Sequence, residues 1–193
     1  MERGNNENMN KLIIVTGYPA SGKTTFASKL SNILHIPFFN LDSIKTSIGK
    51  VIDVNNWEDS IRLGKSSFFV LMYIIENLMK VSKPIIIENS FIQEHEIEIK
   101  YLSEKYEYET LTYFLKCDLQ ILHKRFIERE YSLERNKSNK IFGLWDDYSI
   151  FARDIKLFGN FNIGNKIIDI DTSDIININY DNYIDIAKEF IDE

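Results

Sequence analysis

The stretch Gly17-Tyr18-Pro19-Ala20-Ser21-Gly22-Lys23-Thr24-Thr25 contains the spacing G-x-x-x-x-G-K-T, the P-loop pattern. Each residue type in it has a physical use. The glycines let the backbone curl until several N–H groups point inward at phosphate oxygens. A helix that begins at the loop adds the partial positive charge of its N-terminus. Lys23 would reach the β- and γ-phosphates of a nucleotide, and the Thr24 hydroxyl would ligate Mg²⁺. The bare pattern arises by chance in roughly one chain of this length in a hundred. An ordinary glycine turn between a strand and a helix would have no use for Lys-Thr at those positions.

Further along, single residues could complete a phosphoryl-transfer site. Asp42 reads either as a general base toward a hydroxyl or as a plain helix N-cap. Lys45 stands one turn later on the same face, where it would neutralise a substrate phosphate or simply be solvated. Glu88 closes an apolar run, where a carboxylate could hold Mg²⁺ through water, orient a nucleophile or bond the loop; Asn89 beside it reads mainly as a turn residue. Arg125 and Arg129 lie four apart on one helical face, and Arg135 and Lys137 follow in a polar segment. Cations there could surround a transferred phosphoryl group, or pair with Glu128, Glu130 and Glu134. Trp145, Tyr148, Phe151 and the pair Phe68-Phe69 read as packing, and Cys117 as a small buried hydrophobe.

The elements that must position these residues alternate along the chain. Leu12-Ile13-Ile14-Val15 predicts a buried strand over about 11–16, followed by a helix over 22–34 with Phe26, Leu30, Ile33 and Leu34 on its apolar side. A short strand is expected at 36–40, then a short helix from Asp42 with Asp42 or Asn40 near its N-cap. A long helix over 57–80 has a centre, Phe68 to Ile75, that is apolar nearly all round and predicts burial of most of it. Strands at 84–88, 110–115 and 166–170 alternate with helices at 94–105, 118–130, 146–158 and from 181. Apolar runs rather than alternating ones predict a parallel sheet with helices on both faces.

The bulk properties bound the answer. The chain has 193 residues, enough for one α/β domain with a sizeable core. Residues 1–10 are polar, lack a signal-like apolar region and read as a flexible leader before a single domain at 11–193. No apolar stretch is long enough to cross a bilayer. One cysteine excludes an internal disulfide framework, and with no signal this points to the cytoplasm. A net charge of −6 disfavours a broad nucleic-acid surface, though it leaves room for a local basic cleft. The histidines His35, His95 and His123 have no ligand spacing, so any metal is expected to be Mg²⁺ arriving with the nucleotide.

Four of these stretches together resemble the small P-loop kinases of the adenylate-kinase-like group, in the branch of AAA-type ATP-binding proteins and predicted kinases. That branch is close to the kinase half of phage polynucleotide kinase, to chloramphenicol phosphotransferase and to zeta-type toxins. The loop from Val15 to Thr25 is similar to the family's G-x-P-x-S-G-K-[ST]-T. Leu41 to Lys45 is similar to its D-x-x-[RK], Ile85 to Phe91 to its third strand, and Cys117-Asp118 through Arg129 to its C-D-x₆-R-F-x-x-R. Asp171-Thr172-Ser173 resembles the end of the family's last strand.

The resemblance implies a three-layer α/β/α P-loop NTPase fold with a five-stranded parallel sheet in the order 2-3-1-4-5 and a short lid over about 131–141. It implies ATP and Mg²⁺ as cofactors, with Gly17 to Thr25, Arg125 and Thr172 on the nucleotide, and Thr24 and Glu88 on the metal. Asp42 would act as base, with Lys23, Arg125 and Arg129 on the transferred group and Asp42, Lys45, Glu88, Asn89 and Arg135 toward the acceptor. The acceptor would be a small molecule or nucleotide bearing a hydroxyl. A polynucleotide 5′-kinase, a toxin-like kinase of nucleotide sugars and an ATP-binding switch with no acceptor are the alternatives. Two departures bear on them. Lys45 stands where polynucleotide kinases carry Arg, which weakens the case for bidentate capture of a phosphate. The lid reads Arg135-Asn136-Lys137-Ser138-Asn139, where many relatives carry two histidines.

Overall fold

A computed structural model describes residues 10–193. The expected leader lies outside the described residues except for Asn10, which is anchored rather than frayed. Its carbonyl accepts from Glu109 N at 2.9 Å, and its side chain donates to Tyr106 O at 3.0 Å.

Five parallel strands form one sheet in the order β2-β3-β1-β4-β5, the topology that the resemblance implies. They are β1 (Lys11–Gly17), β2 (Phe38–Asn40), β3 (Ile85–Glu88), β4 (Glu109–Lys116) and β5 (Lys166–Asp171). The helices are α1 (Lys23–Leu34), α2 (Leu41–Ile48), α3 (Trp57–Met79), α4 (Glu96–Lys105), α5 (Leu119–Glu130), α6 (Tyr148–Asp154) and α7 (Asp181–Asp192). Two boundaries differ in kind from expectation. Gln93–His95 forms a 3₁₀ turn before α4, and the expected 146–158 helix is α6 followed by a 3₁₀ segment, Ile155–Asn160.

Because successive side chains of a strand point to opposite faces, β1 feeds two cores. Leu12 and Ile14 pack with Phe68, Leu71 and Ile75 of α3 and with Ile99 of α4. Ile13 and Val15 pack with Phe26 and Leu30 of α1 and with Ile184 and Phe190 of α7. All seven residues of β1 are buried, and each fully buried Leu or Ile contributes about 1.5–3 kcal/mol. A third apolar cluster, with Leu122 and Phe126 of α5 and Trp145, Phe151 and Ile155, ties the lid region to the loop after β1 through Tyr18 and Ala20. Cys117 is buried in this cluster.

The expectation that most of the apolar centre of α3 is buried is corrected. Phe68, Leu71, Met72 and Ile75 are buried, but Phe69 and Tyr73 are 63% and 69% exposed. One sheet face can cover only one side of a helix, so an apolar run cannot bury its whole circumference. Among the described residues no helix is long and apolar enough to cross a membrane.

Candidate functional site

The loop after β1 is shaped by two close approaches. Gly17 pairs with Leu115 across the β1–β4 ladder and sits at φ +126°, where a Cβ would stand 2.1 Å from the Leu115 carbonyl oxygen. Gly22 is left-handed at φ +89°, with the Ile175 Cδ1 methyl 2.9 Å from the place of a Cβ. Tyr18 N donates to Leu115 O and Ser21 N donates back to Tyr18 O, which closes the curl. Among the described residues no side chain caps the first turn of α1. The Ser21 hydroxyl is buried without a partner. A phosphate would supply the acceptors that these groups lack.

Lys23 is 6% exposed, and its ammonium donates to Tyr18 O at 2.7 Å. Burial pushes its pKa down from 10.5 to about 8, with attraction to Glu88 opposing the drop. A cation held this dry attracts phosphate strongly. Glu88, 3% exposed at the end of β3, accepts from the Thr24 hydroxyl at 2.9 Å and also from the Asn40 side-chain amide. Burial raises its pKa, while Lys23 and these hydrogen bonds pull the other way. The Thr24 hydroxyl and Glu88 carboxylate form a hard oxygen pair beside the phosphate loop. That donor set fits Mg²⁺, which takes most of its ligands from phosphate and water. Among the described residues no three His, Cys, Asp or Glu side chains cluster as a self-sufficient metal site.

Asn40 was not foreseen in this role. It is also the N-cap of α2, because its Oδ1 accepts from Ser43 N at 2.7 Å. The two readings of Asp42 are thereby separated. Asn40 supplies the cap, and the Asp42 carboxylate, 47% exposed, faces the cleft instead. Its nearest cation is Arg135 Nη1 at 3.6 Å.

The lid, expected as a polar basic segment, is docked. Ser138, Asn139 and Ile141 are buried, and Lys137–Asn139 is a 3₁₀ turn. Asn139 Nδ2 donates to Thr46 Oγ1 at 2.9 Å and to Asp42 O at 3.3 Å, so this asparagine pins the lid to α2. Arg135 donates to Asn139 O and lies 3.6 Å from Glu130, which itself accepts from Ile141 N at 2.8 Å. Lys45 Nζ donates to Ser60 Oγ at 2.8 Å, and Ser60 Oγ lies 3.2 Å from the carbonyls of Ser138 and Lys140.

Two expected residues have side chains engaged with backbone carbonyls. Arg125 donates to the carbonyls of Thr172 at 2.8 Å and Ser173 at 3.0 Å. This holds its guanidinium at the β5 end of the cleft rather than free to follow a transferred group. Thr172 is fully buried, and its hydroxyl donates to Lys116 O at 3.0 Å. Its side chain ties β5 to β4, and its carbonyl accepts from Arg125. Arg129 lines the cleft with Lys23 and Asp42, as Arg125 also does, and its Nε is buried without a partner. Burial and then the neighbouring Arg135 push its pKa down.

The cleft holds about 500 Å³. Pro19, Gly22, Lys23, Thr24 and Thr25 form one wall, and Asp42, Lys45, Glu88, Asn89, Arg129 and Arg135 line the rest. Trp57, Gly64 and Phe158 also line it and were missed. Gly64 carried a readable signal, a glycine in the middle of a helical pattern.

A family model described as an AAA domain matches residues 13–143, from β1 through the lid. No curated protein matches the chain. Among solved structures, a candidate kinase from Chloroflexus aurantiacus superposes with a TM-score of 0.81 at 20% identity, covering 95% of this chain and 99% of its own. The APS kinase of Mycobacterium tuberculosis, in complex with AMPPNP and APS, gives 0.62 at 12% identity, covering 96% and 99%. A gluconokinase from Sinorhizobium meliloti gives 0.55 at 12%, covering 96% and 94%. At these identities the likeness is one of fold.

Proposed function

This chain belongs to the AAA domain family, and we propose that it is an ATP- and Mg²⁺-dependent phosphotransferase that moves the γ-phosphoryl group to a hydroxyl of a small-molecule or nucleotide-type acceptor. The observation that carries this reading is the meeting of Lys23 with Asp42, Arg129 and Arg135 around one cleft. A protein that only bound ATP would need the first of these and not the carboxylate opposite it. A solved relative of the same fold holds a nucleotide analogue together with a second substrate, which supports a two-ligand cleft.

In this mechanism the loop amides and Lys23 seat the β- and γ-phosphates. Thr24 and Glu88 would hold Mg²⁺, directly or through water, and a bound Mg²⁺ would neutralise phosphate charge. Asp42 orients the acceptor hydroxyl and takes its proton as the new O–P bond forms. The bond from the γ-phosphorus to the bridging oxygen breaks, and ADP leaves with that electron pair. Arg129 and Arg135 oppose the charge spread over the equatorial oxygens. The docked lid keeps water from competing as acceptor.

The test is ATP turnover measured against nucleosides, nucleotides, sugars, sugar acids, aminoglycosides and 5′-hydroxyl oligonucleotides, with Lys23→Ala as the blank. Asp42→Asn is expected to abolish transfer while preserving ATP affinity. Full transfer by Asp42→Asn would remove the base, and turnover unchanged in Lys23→Ala would sink the mechanism.

A further inference from the structure

Gly64 stands in the middle of α3, where glycine is the weakest helix former after proline. Several other glycines have visible reasons. Gly17 and Gly22 adopt positive φ, and a Cβ on Gly49 would overlap Ser138 Oγ at 1.9 Å. Gly64 has neither reason. It is not among the positive-φ residues, and an added Cβ would meet only the tip of Lys45, with Nζ at 3.9 Å and Cε at 4.0 Å. Backbone and packing would both accept alanine. What the missing side chain preserves is open volume in the cleft beside Lys45.

The surroundings of that volume are specific. Trp57, Ser60 and Gly64 fall at i, i+3 and i+7 of α3 and share one face. Trp57 offers an aromatic surface to the cleft, and Ser60 holds the Lys45 ammonium. Lys45 makes no salt bridge among the described residues, although it is largely withdrawn from water and burial pushes its pKa down. The attraction of Asp42 opposes that drop without overcoming it, so the charge is only partly compensated. Anchored to α3, it lines the cleft that the phosphate loop also lines. Asp42 and Lys45 are three apart on α2, so their side chains rise about 5–6 Å apart at Cβ. An acceptor hydroxyl at Asp42 and an anionic group at Lys45 would then belong to one small molecule.

We propose that the α3 face of Trp57 and Gly64, with Lys45, forms the acceptor subsite, and that it takes a compact hydroxyl compound carrying a carboxylate or phosphate a few bonds from the reacting hydroxyl. Gly64 sets the size limit, Trp57 covers the less polar side of the acceptor, and Lys45 selects the anion. The proposal rests on the phosphotransferase reading above.

The test uses matched acceptors: gluconate against glucose, glycerate against glycerol, and glucose 1-phosphate against glucose. The carboxylate and phosphate arms distinguish the two sources of the anion. Wild type is expected to phosphorylate an anionic member in preference to its neutral partner. Gly64→Leu is expected to lower kcat/KM for that acceptor about a hundredfold by displacing it from Asp42, while the KM for ATP stays unchanged. Gly64→Ala should raise Tm by about 2–4 °C and still raise the acceptor KM, a combination that a purely structural glycine would not give. Lys45→Met should erase the preference for the charged member. Transfer that proceeds equally in wild type and Gly64→Leu, or that prefers neutral acceptors, overturns this subsite and leaves the phosphotransferase reading intact. Absence of turnover on every member by a wild type that phosphorylates an acceptor without an anionic group overturns the subsite alone.

Discussion

Replacing Lys23 by methionine should make the protein more stable while removing its grip on phosphate. The folded chain keeps this ammonium 6% exposed, and its pKa falls from 10.5 to about 8 because burial outweighs the attraction of Glu88. That drop corresponds to roughly 3 kcal/mol of penalty for keeping the charge in the fold. Methionine preserves the unbranched stem and deletes the charge. Two losses offset the gain. The hydrogen bond to Tyr18 O contributes about 1 kcal/mol. Glu88 also loses the ammonium that opposes its own burial and moves further toward the neutral acid. The net expectation is a stabilisation of about 1–2 kcal/mol, or a Tm higher by about 2–8 °C at pH 7.

The pH dependence carries the sign. Below about 8 the lysine is protonated in both folded and unfolded chains, so the penalty in wild type is complete. Between about 8 and 10.5 the unfolded chain binds the extra proton, and wild-type stability rises relative to the variant. The gap between the two proteins is therefore widest below pH 8 and closes toward pH 10.5, while other lysines and tyrosines titrate alike in both. Urea unfolding of each protein from pH 6 to 10, without nucleotide, measures the gap. A variant less stable than wild type throughout, or a gap independent of pH, would refute the reasoning that the phosphate-binding charge is kept at the expense of stability.

Three other outcomes follow from single contacts. Gly17→Ala should destabilise by more than about 4 kcal/mol or prevent folding, since its Cβ would drive β1 from β4 at the Leu115 carbonyl; soluble yield and thermal unfolding report it. Arg125→Lys keeps the charge but not the fork that spans the Thr172 and Ser173 carbonyls. It should cost about 1.5–3 kcal/mol in stability and raise the KM for ATP with little change in kcat. Glu130→Ala strands the Ile141 amide and leaves the mostly buried Arg135 guanidinium with Asp42 as its one carboxylate partner. It should cost about 3–5 kcal/mol in urea unfolding, and proteolysis should then cut first within 131–141.

What the sequence revealed followed the range of its signals. The runs Leu12–Val15 and Ile85–Ile87 announced central strands because a parallel sheet buries both faces. The apolar centre of α3 announced a helix but not its exposed side, since residues that are all apolar carry no information about which face meets the sheet. Glu88 was legible as the end of a strand. Its partner Asn40 was not, because the two are brought together only by the β2–β3 register that sets Asn40 opposite Glu88. Thr172 was placed on the nucleotide by its motif, and its side chain ties the β4–β5 junction. A local pattern reports backbone position, and the direction of a side chain at the end of a strand depends on the neighbouring strand.

Asn40 also explains how Asp42 can serve a reaction. Had Asp42 been the cap of α2, its carboxylate oxygens would accept from backbone amides and face along the helix. Asn40 takes that work with Oδ1 and uses Nδ2 to hold Glu88 beside Thr24, so one neutral residue joins the start of α2 to the phosphate side of the cleft. Asp42 is left at the second position of the helix, with Arg135 within salt-bridge distance of it. The helix N-terminus favours its negative charge, and the exposed side of the carboxylate remains open to an incoming hydroxyl. A neutral cap followed at the second position by a free acid thus divides between two residues what a single aspartate could not do at once.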